Sequence, residues 1–89
     1  MIEKKILIKN KLGLHARAAA KFVNLANRFK SHVLIEKDGN EIDGKSILGI
    51  LTLAAIQGTK ITLKVSGNDE KIASNALVKL IEDKFQEKE

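Results

Sequence analysis

The strongest constraint on the fold is the way in which the spacing of apolar residues changes along the chain. In some short stretches apolar and polar residues alternate, and in others apolar residues recur every three or four positions. Alternation is typical of a half-buried β-strand, and the longer spacing is typical of a helix with one buried face. The stretches follow the order β-α-β-β-α-β-α. A chain with this order is expected to form a two-layer α+β sandwich.

The predicted elements are short, and glycine-containing loops separate most of them. We predict strands over residues 2–8, 33–35, 41–43 and 61–65. We predict helices over residues 16–28, 47–53 and 72–81. The residues expected to face the core are Ala19, Phe22, Val23, Ala26 and Phe29 in the first helix, and Ile72, Ala73, Ala76, Leu77, Leu80 and Ile81 in the last. Residues 37–40 contain an Asp-Gly pair typical of a two-residue hairpin turn, which makes the second and third strands antiparallel. Residues 66–70 predict a turn followed by a capped helix start.

Length and composition limit the functions that are open to the chain. With 89 residues we expect a single domain over 1–89, too small for a separate catalytic domain or a large cleft. The sequence has no cysteine, which excludes disulfides and thiolate metal sites. It has neither the apolar run of a signal peptide nor an 18-residue apolar stretch. We therefore expect a cytoplasmic protein that does not enter a membrane.

The charge of the chain favours an acidic protein partner over a nucleic acid. The formal net charge is +5, but acidic residues lie among the scattered basic ones. Only three aromatic residues are present, all phenylalanines, and they follow the core spacing of helices. Stacking on nucleic-acid bases needs exposed aromatic rings, so nucleic-acid binding is not expected.

The most informative segment begins where the loop at residues 10–14 leads into the first helix. The first N–H groups of a helix have no intrahelical acceptor and lie at the positive end of its dipole, so they suit a bound phosphate. His15 supplies a ring nitrogen with a nucleophilic lone pair. The backbone N–H groups of Ala16 and Ala18 and the forked guanidinium of Arg17 would stabilise the phosphoryl oxygens. These are the main requirements for reversible phosphoryl transfer.

Spacing alone leaves a second interpretation of this segment open. A histidine at a helix start is often only a weak cap, with a surface arginine beside it by chance. The other histidine, His32, opens the second strand without a motif around it, and we interpret it as structural or exposed. The two histidines are far apart in the sequence and no carboxylate stands at ligand spacing, so no metal site and no cofactor are predicted.

Two segments of the chain resemble a known family. The sequence Gly13-Leu14-His15-Ala16-Arg17 resembles the active-site signature of HPr, the histidine-containing phosphocarriers of the bacterial sugar phosphotransferase system. Residues 44–53, beginning Gly44-Lys45-Ser46, resemble the regulatory serine segment of that family and its following helix. Both lie at the family's usual positions. The resemblance covers essentially the whole chain and implies an open-faced β-sandwich, with a four-stranded antiparallel sheet and three helices on one face.

The resemblance also implies a function and a set of partners. His15 would accept a phosphoryl group on Nδ1 from phospho-enzyme I and pass it to the IIA component of sugar transporters. The protein would then be a monomeric, stoichiometric carrier and not an enzyme. Most family members have proline where this chain has Ala18. Alanine is compatible with the first turn of a helix and leaves one more N–H there, so we expect the site to function.

Ser46 and a set of residues expected to dock partners are further candidate site residues. Ser46 is expected to cap the second helix, a role worth about 1 kcal/mol. In some bacteria an HPr kinase/phosphorylase phosphorylates this serine, whereas other members keep it without such a kinase, so both roles stay open. The apolar residues of this helix cannot all face inward, and some are expected to stay exposed. By analogy with the family, the partner-docking residues are Ala20, Asn24, Lys45, Ile47, Leu48 and Leu51, beside Arg17.

Two other function classes stay open at this point. A regulatory HPr-like protein would signal through His15 and Ser46 to enzymes or to a transcriptional regulator. The presence of His15 argues against a paralogue that has lost the phosphoryl acceptor. A small phosphohydrolase would need a positioned water and a second fixed polar group beside Arg17, and the sequence offers no such constellation.

Overall fold

The predicted order of strands and helices is confirmed by the structure, a computed structural model that describes residues 1–87. Its elements are β1 (Ile2–Leu7), α1 (Ala16–Ala26), β2 (His32–Lys37), β3 (Asn40–Asp43), α2 (Ile47–Thr52), β4 (Lys60–Ser66), α3 (Glu70–Glu82) and a short 3-10 segment at Lys84–Gln86. Helix α1 ends two residues earlier than predicted. Its last turn is closed by i→i−3 bonds, from Arg28 N–H to Leu25 O and from Phe29 N–H to Ala26 O, which tighten the helix and end it. Within residues 1–87, no helix is long and apolar enough to cross a membrane.

The four strands form one antiparallel sheet in the order β1-β4-β2-β3. Strand β4 lies in the middle, although it follows β1 and β2 by a long stretch of sequence. Its register pairs Ile6 with Ile61 and Val33 with Val65. Because side chains alternate across a strand, this register gathers the apolar residues of three strands on one face. The helices cover that face, as the predicted fold class requires.

The tight turn between β2 and β3 agrees with the Asp-Gly prediction. Asp38 and Gly39 both have positive φ, of 52° and 83°. Two successive positive φ angles are the mark of a type I′ turn, whose twist matches that of the two strands. The pairing of Lys37 with Asn40 closes the hairpin.

The core lies between the sheet and the helices. The predicted stripe of α1 is confirmed for four of its residues, and Phe22 is completely buried. The fifth, Phe29, lies beyond the helix end and is half-buried against the core. In α3 the prediction for Ile72 is wrong, because its side chain is 67% exposed. The buried face of this helix is rotated toward Ala73, Ser74, Leu77 and Ile81.

The predicted cap of α3 is also corrected. Asp69 occupies the N-cap position, but its side chain makes no hydrogen bond to its own helix. Its carboxylate instead accepts hydrogen bonds from Lys30 N–H at 2.8 Å, from Ser31 N–H at 3.0 Å and from the Ser31 hydroxyl. These bonds tie the start of α3 to the connection between α1 and β2. The hydrogen bond from the Ser31 hydroxyl is the first cause of a lowered Asp69 pKa, with the Lys30 N–H next.

After α3 the backbone changes to a left-handed conformation. Lys84, Phe85 and Gln86 have φ values of 57°, 55° and 62°, a left-handed conformation that costs L-residues about 1–2 kcal/mol each. We call residues 84–87 the C-terminal strap. The strap directs Phe85 into the core, where its ring is completely buried. The prediction that all three phenylalanines follow helical core spacing is therefore wrong for Phe85, whose burial depends on the turn after the helix.

We predict that Asp69→Asn lowers stability in a pH-dependent manner. The carboxylate holds its three donors best when ionised, and its folded pKa lies below the ordinary value of 3.8. Its contribution is therefore complete above pH 3.8 and is lost as pH falls through the lowered folded value. We expect the urea midpoint of the variant to be lower than that of the unmodified chain at pH 7 and the difference to shrink toward pH 2. Asp38→Asn removes the same charge from an exposed turn and should have little effect; equal losses in both variants would contradict the assignment.

Candidate functional site

A compact loop between β1 and α1 holds the candidate site. Gly13 N–H donates to Asn10 O at 3.1 Å, and the Asn10 side-chain amide donates back to Gly13 O at 2.7 Å. Leu14 N–H donates to Ala55 O at 2.9 Å, which ties the loop to the segment after α2. Asn10 is completely buried, so these bonds are shielded from water. The loop therefore has a fixed path into the first helix.

Glycine is required at position 13 for two reasons. Its φ is +65°, in the left-handed region that glycine adopts without strain. A Cβ placed there would also overlap the carbonyl oxygen of Ala55 and lie 2.9 Å from Ile56 Cα. Only a residue without a side chain lets the loop lie this close to the segment after α2.

His15 is the N-cap residue of α1, as its position in the sequence predicted. Its backbone is extended, and its carbonyl accepts the first intrahelical bond, from Ala19 N–H at 2.8 Å. The N–H groups of residues 16–18 precede that bond and have no acceptor within the helix. The imidazole makes no capping bond to them. Among these residues Ala16 and Arg17 are exposed, so their N–H groups are available to an anion beside the ring.

One edge of the imidazole is occupied by a residue that sequence analysis did not single out. Nε2 of His15 is hydrogen-bonded to Oε2 of Glu87, 72 positions along the chain. The other oxygen, Oε1, accepts a hydrogen bond from the Asn10 amide at 3.0 Å. Partial burial by itself would raise the pKa of Glu87, but the hydrogen bonds from His15 and Asn10 outweigh it and lower that pKa. A carboxylate thus faces one ring nitrogen, on the opposite edge from Nδ1.

Basic side chains surround the helix start. Among the residues that the structure describes, the exposed guanidinium of Arg17 has no hydrogen-bonding or ion-pair partner. Lys21, one turn further along α1, donates to Phe85 O at 2.7 Å and adds positive charge near Glu87. Ala16 is exposed, whereas Ala18 is completely buried. The arrangement suits a dianionic group at the helix start.

Most of the residues expected to dock partners lie on α1 and α2, two helices in contact with each other, and Lys45 lies just before α2. Ile47 is 40% exposed and Leu48 is 76% exposed, so the expectation that part of this apolar set reaches the surface is confirmed. Leu51 is half-buried, and Ile50 beneath it is completely buried. The remaining predicted residues divide by exposure: Asn24 is exposed, and Ala20 and Lys45 are half-buried.

Lys45 and its neighbour Ser46 both have structural partners. Lys45 donates through Nζ to Phe29 O at 2.8 Å. The hydroxyl of Ser46, the N-cap of α2, accepts a hydrogen bond from Gly49 N–H at 3.0 Å, so its predicted capping role is confirmed. His32 opens β2 with an exposed side chain, away from any grouping of metal ligands. Over residues 1–87, the structure contains no cluster of three or more His, Cys, Asp or Glu side chains that could hold a metal ion.

Sequence reasoning missed three residues around His15. Asn10 stands in the loop, where asparagine is a common turn residue, and that signal could have indicated its hydrogen bond to Gly13. Phe85 and Glu87 belong to the strap, whose left-handed path has no signature in a segment without glycine. Nothing in the sequence links Glu87 to a histidine so far away.

Comparison with known proteins gives consistent results over nearly the whole chain. A family model described as the PTS HPr component phosphorylation site matches residues 2–83. Phosphocarrier protein HPr from Xylella fastidiosa strain 9a5c is 45% identical over 98% of both chains. The HPr-like protein Crh from Halalkalibacterium halodurans is 51% identical, covering 92% of this chain and 98% of its own. The strap lies outside the residues that the family model matches.

Solved structures agree with the fold. The crystal structure of HPr-C-His from Thermoanaerobacter tengcongensis superimposes with a TM-score of 0.96 at 49% identity and covers all of both chains. A phosphocarrier protein HPr from Bacillus anthracis gives a TM-score of 0.86 at 42% identity, covering 90% of this chain and 95% of its own. These likenesses match the sheet and helix order described above.

We predict that Gly13→Ala destabilises the chain and disturbs the site. Gly39→Ala is the matched control, because Gly39 also has positive φ but a Cβ there meets nothing within 4 Å. The control should lose about 1–2 kcal/mol of unfolding free energy from backbone strain alone. Gly13→Ala should lose at least about 1 kcal/mol more from the overlap with Ala55, and it should shift the His15 ring resonances. Equal losses of unfolding free energy in the two variants, measured by urea unfolding, would show that the close approach of Gly13 to Ala55 does not make the substitution more costly.

Proposed function

Because this chain belongs to the HPr family of phosphocarrier proteins of the phosphotransferase system, we propose that it carries the phosphoryl group on Nδ1 of His15. The observation that carries this proposal is the position of His15 as N-cap of α1, with unpaired backbone N–H groups following it. The donor would be phospho-enzyme I, and the acceptor the IIA component of a sugar transporter. The family consists of stoichiometric carriers and not of enzymes.

The transfer step requires little from the protein beyond placement and charge. The lone pair of Nδ1 attacks phosphorus, and the bond between phosphorus and the donor's histidine nitrogen breaks. The electron pair of that bond returns to the donor nitrogen. Transfer to the acceptor repeats the same exchange, with Nδ1 as the leaving nitrogen. The His15 side chain is 25% exposed, so two partners can reach the same atom in turn.

The phosphoryl oxygens would be held by the helix start and by Arg17. The N–H groups of residues 16–18 belong to the first turn of α1, directly after His15, and the helix dipole favours negative charge there. Ala18 has an N–H where proline would have none, but this residue is completely buried, so Ala16 and Arg17 would supply the main backbone donors. The exposed guanidinium of Arg17 has no competing partner in residues 1–87, so it is free to make forked hydrogen bonds to the phosphoryl group.

We propose that both partners dock on a shared face of α1 and α2. Leu48, at 76% exposure, is the most exposed apolar side chain of this face. Ile47 and half-buried Leu51 extend it, and Asn24 and Arg17 border it on α1. An apolar centre with a basic rim suits a partner with an apolar patch inside an acidic surround. A monomer would present this face once.

A regulatory role through Ser46 is a second candidate, favoured by the similarity to the Crh protein. Ser46 stands at the start of α2, directly before the exposed Ile47 and Leu48. A phosphate on this hydroxyl would add up to about two negative charges to the edge of the docking face. An acidic partner would then bind less well. The phosphate would come from ATP through an HPr kinase/phosphorylase.

The first prediction of this proposal concerns intact mass. Incubation with phosphoenolpyruvate and a bacterial enzyme I should add one acid-labile phosphoryl group to the chain. His15→Ala should abolish the gain, and His32→Ala, which removes the other, exposed histidine, should leave it unchanged. A gain that survives His15→Ala, or no gain with several sources of enzyme I, would refute His15 as the carrier.

The second prediction concerns docking. Leu48→Ala should raise the KM of enzyme I for this chain by roughly 10-fold, the effect of losing an apolar contact of an interface centre. The thermal midpoint should hardly change, because the side chain is already exposed. Ile72→Ala removes a similarly exposed apolar side chain from α3 and should leave KM unchanged.

Ser46→Asp tests the regulatory candidate in the same assay. We expect a higher KM from the added charge, and phosphorylation by an HPr kinase/phosphorylase with ATP should be absent in Ser46→Ala. If Ser46→Asp leaves KM unchanged, a charge at this position does not oppose docking.

A further inference from the structure

The imidazole of His15 is held from the side opposite its proposed reacting atom. Nε2 is bonded to the Glu87 carboxylate, and the ring makes no capping bond through its other nitrogen. A carboxylate can only accept, so Nε2 must carry the proton that forms this bond. In the neutral ring the lone pair then lies on Nδ1. This tautomer is the one that a nucleophile at the helix start needs.

Glu87 is itself fixed by contacts that do not involve the histidine. Its second oxygen accepts from the buried Asn10 amide at 3.0 Å, and the same amide group donates to Gly13 O in the loop that leads to His15. Two residues earlier in the strap, Phe85 is completely buried and its carbonyl accepts from Lys21 of α1. The Glu87 side chain is only 10% exposed, less than that of His15. A carboxylate anchored on both sides can orient the ring that it contacts.

We infer that Glu87 is a positioning residue for phosphoryl transfer, fixing the His15 ring with its proton on Nε2 and its lone pair on Nδ1. The inference rests on the proposed function of His15 as carrier. Glu87 does not touch the reacting nitrogen, so it acts only through the ring. Its role is independent of the docking face on α1 and α2.

The contact has a second consequence during transfer. When the Nδ1 lone pair forms the bond to phosphorus and the donor's N–P bond breaks, the ring gains positive charge and keeps its proton on Nε2. The carboxylate beside that proton stabilises the developing charge, as the buried aspartate of a serine protease triad does for its histidine. No proton needs to leave or enter the ring in this step. A neutral or absent side chain at position 87 would leave this charge to water.

Asn10 is the support on which this arrangement depends. Its amide nitrogen has two acceptors, Gly13 O and Glu87 Oε1, and these determine which way the amide points. Its own oxygen is buried and has no hydrogen-bonding partner in residues 1–87. The orientation that lets the amide nitrogen donate to both the loop and the strap therefore leaves the amide oxygen without a hydrogen bond in residues 1–87.

The test compares Glu87→Ala with Glu82→Ala in the full chain. Glu82 is an exposed glutamate at the end of α3, so its variant removes the same charge without touching the site. Nitrogen-15 shifts of the His15 ring should show a single Nε2-protonated tautomer in the unmodified chain and in Glu82→Ala. Glu87→Ala should give averaged shifts from two tautomers. This readout needs no phosphoryl donor.

Kinetics with enzyme I supplies the second readout. For Glu87→Ala we expect kcat to fall by about 10-fold, the lower end of the loss seen when an orienting partner of a metal-bound histidine is removed. KM for the chain should stay unchanged, because the docking face is intact. Glu87→Gln keeps an oxygen that can accept from Nε2 and should recover part of the lost kcat.

The outcomes separate this inference from the proposed function. Unaltered ring shifts and an unaltered kcat in Glu87→Ala would overturn the positioning role while leaving His15 as the carrier. A raised KM with kcat preserved would also overturn it, since that pattern indicates docking. Failure of the unmodified chain to accept phosphate would defeat the proposed function, and the inference about transfer with it.

Discussion

Burial of a single apolar sheet face is the constraint on which the rest of the structure depends. The β1-β4-β2-β3 order brings strands from both ends of the chain together, and their inward side chains form a surface that only a layer of helices can cover. Helix α1 meets this need with the buried stripe that includes Phe22 and Ala26. Once that stripe faces the sheet, the helix start can lie only at the rim of the molecule. The candidate site is therefore a consequence of how the core is closed.

A rim position suits the chemistry of a carrier. A carrier must offer one atom to two different proteins, so a deep cleft would exclude at least one of them. The partly exposed ring of His15 and the exposed guanidinium of Arg17 meet that requirement. The opposite requirement is a defined ring orientation, which a surface histidine would lack on its own. The rigid loop through Gly13 supplies part of that order, and the strap supplies the rest.

The strap illustrates how local strain is offset by tertiary contacts. Three successive residues in the left-handed region would not persist in an isolated peptide. Complete burial of the Phe85 ring and the hydrogen bond from Lys21 favour the conformation strongly enough to hold it. Its result is a carboxylate at His15, contributed by a segment outside the region that the family model matches.

The sequence by itself determined the order of elements, the Asp-Gly hairpin, the stripe of α1 and the place of His15 and Ser46 at helix starts. These features depend on spacing within a few residues, where hydrophobic period and backbone preference act directly. Only the tertiary structure decided the role of Asp69, the exposure of Ile72 and the contact between Glu87 and His15. Asp69 left its own helix for donors on another segment, and Ile72 was exposed by a rotation of α3 that its apolar spacing does not specify. Glu87 reaches His15 because the core accepts Phe85, and a contact across 72 positions is set by packing and not by local pattern.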